Sequence, residues 1–141
     1  MPGPPTPQPV VVYGFHREER LGNLWFRKTS VEGFLNDLAS CRAVICAGSH
    51  TLTSEALYYG KPVLAHPFAG AFEQVLNAFY LEKLGYGKMV LSPGLEPRHW
   101  QEFQEEWGRY RHNLGKGHFL GNEEVFSRVG EFIRRQGQVP W

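Results

Sequence analysis

The sequence predicts an α/β fold, a parallel sheet with helices on both faces, and it closes in helices alone. Short apolar runs recur at residues 10–14, 24–27, 43–46, 63–65 and 88–91. Uninterrupted runs such as VVVYG and AVIC suit strands covered on both faces. Segments of helical periodicity separate the later runs, joined by loops of ordinary length, which is how successive parallel strands are connected. Beyond Pro97 the strand-like runs cease and only helical spacing continues.

Residues 1–9 carry prolines at positions 2, 4, 5, 7 and 9 and read as a disordered lead-in, with residues 10–141 as one domain. Residues 10–14 form a first strand, HREERLGN a polar connection and residues 24–27 a shorter second strand. Thr29 or Ser30 caps a helix running to about residue 40, with Val31, Phe34, Leu35 and Leu38 on one face. Residues 43–46 are the third strand. A helix over 51–59 stops at Gly60, which suits the left-handed conformation of a helix end, and Pro62 prevents its continuation. The fourth strand spans 63–65. An amphipathic helix follows over 72–84, with Val75, Leu76, Phe79, Tyr80 and Leu84 as its apolar set; Gly85 and Gly87 stop it before a fifth strand at 88–91.

Two further helices are expected at about 98–114 and 122–135. In the first, Trp100, Phe103, Trp107, Tyr110 and Leu114 recur at steps of three and four, giving an aromatic stripe. The second offers Val125, Val129, Phe132 and Ile133 at similar spacing. Either both pack on the sheet or on each other, or they leave a patch that seeks a second subunit.

A chain of 141 residues, 42% hydrophobic and 14% aromatic, can bury an ordinary core. Its net charge of +1, with basic and acidic residues interspersed, gives no footprint for nucleic acid. No apolar run is long enough to span a bilayer, and the proline-rich start lacks the features of a signal peptide, so a cytoplasmic protein is expected. Cys41 and Cys46 read as separate buried thiols. No group of His, Cys and carboxylate residues has metal-ligand spacing, so no metal is expected.

Chemistry concentrates in residues 47–87, where two loops open at the same end of neighbouring elements, the end at which open α/β sheets bind ligands. Gly48 and the following Ser49, His50 and Thr51 lead into a helix whose unpaired N–H groups and dipole favour an anion such as a phosphate. His50 could donate to that phosphate. One turn further on, Glu55 can accept two hydrogen bonds from a vicinal diol such as a ribose. The second loop, residues 68–72, leads into Glu73, Gln74 and Asn77, polar groups suited to sugar hydroxyls; Asn77 is better read as a bond to the backbone of the Pro67 loop.

From about Leu24 to Val90 the sequence resembles the donor-binding, C-terminal half of a GT-B glycosyltransferase, closest to the MurG-like type of glycosyltransferase family 28. The residues that carry the resemblance are Ala47-Gly48-Ser49, Leu52-Thr53-Ser54-Glu55-Ala56-Leu57, Gly60-Lys61-Pro62-Val63-Leu64, Pro67, Glu73-Gln74 with Asn77-Ala78, and Leu81-Glu82. The resemblance implies a Rossmann-like domain in which Gly48 to Thr51 face the diphosphate of a UDP-sugar, Glu55 holds the ribose and Gln74, with Glu73 beside it, contacts the sugar. Backbone groups at Phe26, Arg27 and Lys28 would meet the base, with the Arg27 side chain leaning over it. The nucleotide-sugar is then a substrate, and no cofactor is implied.

The resemblance also implies parts this sequence lacks. Such domains open with a strand and a glycine-rich turn ahead of the strand matching VVVYG, and their acceptor-binding half is a separate domain. No catalytic base is therefore nominated, and His16, His66, His99, His112 and His118 read as ordinary surface or capped groups. An acceptor-binding subunit or domain is the expected partner, and an uncovered strand edge makes a homodimer a second expectation. Two other functions fit the same residues: a non-catalytic nucleotide-binding module, and an interaction protein that uses the stripe from Trp100 to Leu114.

Overall fold

A computed structural model describes residues 8–135. The expected lead-in at 1–9 lies outside them apart from Gln8 and Pro9, both exposed. The chain forms two compact units, Met1–Cys41 and Arg42–Trp141.

The first unit contains β1 (Val10–Val12), β2 (Glu19–Leu21), β3 (Leu24–Phe26) and α1 (Val31–Ser40). Its sheet has the order β1-β3-β2, with β1 parallel and β2 antiparallel to β3. β2 falls inside the stretch read as a polar connection. All three of its residues are exposed, so no buried alternation marks it. The Gly22-Asn23 turn makes it, with Gly22 at φ 61 as the first central residue of a two-residue hairpin loop. β1 is an edge strand, and Val10 is exposed while Val11 and Val12 are half-buried, so the expected cover on both faces is missing.

Ser30, not Thr29, caps α1, its hydroxyl accepting from the Gly33 N–H at 3.1 Å. Asp37 of α1 draws the unit together. Its carboxylate accepts from the Tyr13 hydroxyl at 2.6 Å and from Arg27 Nη1 at 2.7 and 2.8 Å. Burial, reinforced by Asp37, raises the Tyr13 pKa.

The second unit contains β4 (Val44–Cys46), α2 (His50–Tyr58), β5 (Val63–Ala65), α3 (Phe72–Lys83), β6 (Gly87–Met89), α4 (Pro97–Glu105), α5 (Trp107–Lys116) and α6 (Asn122–Arg134). Its sheet is wholly parallel in the order β4-β5-β6. This is the α/β architecture expected, with the strands divided between two ladders instead of one. β5 is central, and Val63, Leu64 and Ala65 are all buried, so both sheet faces are covered there. At the edge, β4 leaves Ile45 exposed, unlike the fully buried strand expected.

Both site-bearing helices end in the same way. Gly60 (φ 67) follows α2, with the Lys61 N–H bonded to the Ala56 carbonyl and the Gly60 N–H to Leu57. Gly85 (φ 73) follows α3, with Tyr86 bonded to Leu81 and Gly85 to Glu82. These paired bonds satisfy carbonyls that the helix itself cannot. Gly87 is different. It opens β6 and does not stop a helix, and a Cβ there would strike the Val63 carbonyl of the neighbouring strand.

The helix expected over 98–114 is two helices, broken at Glu106, which ends α4 and begins α5. His99 anchors the start of α4 as part of a capping box, its Nδ1 accepting from the Glu96 N–H at 3.0 Å. The aromatic stripe faces inward. Phe103 and Tyr110 stack with centroids 5.5 Å apart and pack with Leu64 and Val90, while Trp100 and Trp107 are half-buried against the same cluster. By contrast, α6 buries none of its residues, and Val125, Phe126, Val129, Phe132 and Ile133 are exposed.

Candidate functional site

The turn after β4 is built around a glycine. Gly48 adopts φ 83, a conformation that disfavours any side chain. Space is tight as well, since a Cβ at Gly48 would lie 3.0 Å from the Gln74 carbonyl oxygen, which would have to give way slightly, and in contact at 3.7 Å with the Cβ atoms of Ala65 and Ala78. The Gly48 N–H donates to Cys46 Sγ at 3.4 Å. Burial raises the Cys46 pKa, an effect partly offset by that N–H and by the Thr53 hydroxyl, so this residue stays a thiol at neutral pH.

Ser49 is the N-cap of α2, but its hydroxyl makes no capping bond, and the helix begins at His50, one residue before the expected Thr51. Ser49, His50 and Thr51 are all exposed. The first-turn N–H groups are thus left without a side-chain cap at an accessible helix terminus, where an anion is favoured. Glu55 lies in the second turn, beyond the reach of the simple preference for acids in a first turn. The residue is half-buried, and its carboxylate makes no ion pair or hydrogen bond among the described residues.

Two side chains of α3 hold the two loops. Gln74 Oε1 accepts from the Phe68 N–H at 3.0 Å, so the amide's NH2 group is the part left for a ligand. Asn77 Nδ2 donates to the Gly48 carbonyl at 3.1 Å. Asn77 was expected on the Pro67 loop; it reaches the Gly48 turn instead, and Gln74 holds the second loop. Glu73 is exposed in the first turn of α3, and Gly70 at φ 80 gives the second loop its bend. At the base of that loop His66 Nε2 lies 2.9 Å from the Ser92 carbonyl.

Arg27 belongs to the first unit. Its guanidinium, expected to lean over a base, is forked onto Asp37. It also lines an open depression of about 270 Å³ with Glu18, Glu19, Arg20, Trp25 and Phe26. The bonds of Arg27 and Asn77 escaped the sequence reading for one reason: each joins residues at least ten positions apart. A polar residue on a mainly apolar helix was the available signal for both Asp37 and Asn77.

A glycine turn opening a helix at the end of a parallel strand, latched by the next helix, is the frame of a Rossmann-like α/β fold. The same fold is found in a solved structure described as the glycotransferase of kitacinnamycin, with a TM-score of 0.67 and 20% identity over 91% of this chain. The chain belongs to glycosyl transferase family 1, whose model matches residues 5–106. Two uncharacterized glycosyltransferases, from Methanosarcina mazei and Methanosarcina acetivorans, are each 43% identical to it over 53 residues, 38% of this chain. The matched part spans 14% of each of those relatives and 35% of the solved glycotransferase. No helix among the described residues is long and apolar enough to cross a membrane.

Proposed function

We propose that the second unit binds the nucleotide-sugar donor of a MurG-like glycosyltransferase, with UDP as the nucleotide. The Gly48 turn and the α2 terminus receive the diphosphate, and they would stabilise charge growing on it as the sugar departs. Glu55 accepts from the ribose hydroxyls. The Gln74 NH2 donates to an oxygen of the sugar, with Glu73 at the rim. Transfer itself needs an acceptor-binding domain or subunit.

The observation that carries this reading is the open α2 terminus, its hydroxyl cap unused, behind a glycine whose positive φ and close neighbours disfavour a side chain. One helix terminus and one acidic clamp contribute about 0.3–2 kcal/mol each, against association costs of several kcal/mol. Affinity should therefore fall between about millimolar and tens of micromolar. A thermal-shift panel of UDP-, GDP- and TDP-sugars tests it: at millimolar ligand the UDP-sugars should raise Tm by about 2–4 °C, and Glu55→Gln should remove most of that rise. Indifference to all three nucleotides would sink the reading.

A further inference from the structure

We infer that Asn77 is a positioning residue for the diphosphate: its bond to the Gly48 carbonyl turns the Gly48–Ser49 peptide so that the Ser49 N–H faces the ligand. This rests on the donor-binding reading above. A trans peptide holds its C=O and N–H in opposite directions. The Gly48 carbonyl points at Asn77 Nδ2, 3.1 Å away on α3, so the N–H on the far side of that peptide points away from α3. It emerges beside Ser49 and His50, both exposed, at the accessible start of α2. One more backbone donor thus joins those of the first helical turn.

The peptide has reason to need holding. Gly48 at φ 83 is the residue type freest to rotate, and an unrestrained flip would present a carbonyl oxygen where the phosphate sits. A carbonyl dipole there would repel the anion. Asn77 sits in the second turn of α3, whose start is tied to the second loop through Gln74, so the latch is mounted on an element already fixed at both ends. The carbonyl of Gln74 packs against Gly48 from the same side and limits movement toward α3.

Asn77→Asp keeps the size and replaces the donor NH2 with a carboxylate that faces the Gly48 carbonyl. Calorimetry on the full chain with UDP and with uridine provides the test. The variant should bind UDP about tenfold more weakly at pH 7.5, the effect of losing one charge-assisted donor. Uridine, which has no phosphate, should bind as it does to the wild type. As pH falls through the carboxyl range, about 4, the protonated side chain becomes a donor again. The ratio of variant to wild-type UDP affinity should then return toward one.

Asn77→Ser, with a shorter hydroxyl donor, guards against a folding defect, which would lower uridine and UDP binding together. Equal losses for the two ligands in both variants, or UDP binding indifferent to Asn77→Asp, overturn the inference while the donor-binding reading survives. A wild-type chain that binds no UDP overturns both.

Discussion

The α4–α5 pair and α6 carry the same kind of apolar spacing and meet opposite fates. Phe103, Tyr110 and Leu114 are 0%, 3% and 5% exposed, whereas Val125, Val129, Phe132 and Ile133 lie between 49% and 68%. The first pair has a sheet face to cover, with Leu64 of β5 and Val90 just beyond β6 at its centre. An ion pair from Lys88 of β6 to Glu102 of α4, 2.9 Å long, adds a lateral tie. The pair Glu131–Arg135 at the end of α6 is a local one, four residues apart. Periodicity therefore fixes which side of a helix is apolar and leaves open what, if anything, covers that side.

Substitutions along the two regions should separate them by magnitude. Phe103→Ala removes a fully buried ring from the stacked cluster and should destabilise the chain by about 3–5 kcal/mol in urea unfolding. A loss below about 1 kcal/mol would mean that the α4–α5 contact is loose.

Glu102→Gln should have a smaller effect, and one that depends on pH. The bond to Lys88 lowers the Glu102 pKa, so this stabilisation is present above the ordinary carboxylate range and is lost as pH falls through the lowered folded value. The same bond raises the Lys88 pKa, so its share is present below the ordinary lysine value and fades as pH rises through the raised one. The stability difference between variant and wild type should be visible at pH 7 and vanish in acid; a difference that persists at pH 2–3 would assign the effect to packing instead.

The smallest change belongs to α6. Ile133→Ser, at a side chain 68% exposed, should move stability by no more than about 0.5 kcal/mol. A loss of 2 kcal/mol or more, or one that depends on protein concentration, would show that this face is covered in solution.

In the site, what could be read from the residues and what could not divide along similar lines. Gly48 was legible because a backbone turn at the end of a strand requires one residue type, and the helix stops at Gly60 and Gly85 were legible for the same reason. The Gly22-Asn23 hairpin carried a turn signal, but a strand with three exposed residues gave no pattern to accompany it. Gly87 read as a helix stop because close approach to Val63 leaves no mark on local sequence. The partners of Arg27 and Asn77 were hidden because a side-chain hydrogen bond depends on which elements fold against each other.

The sequence by itself determined the α/β class, the positions of most helices and strands, the glycine turn and the glycosyltransferase resemblance. The class, the elements and the turn follow from local backbone preference and short-range periodicity, whereas the resemblance rests on particular residues matching a family pattern. Only the tertiary structure decided the division of the strands into two ladders, the fork of Arg27 onto Asp37, the latching of the two loops by Gln74 and Asn77, and the exposure of α6. Those features depend on contacts between distant residues, whose energies appear only once a particular packing brings the groups within about 3–4 Å of each other.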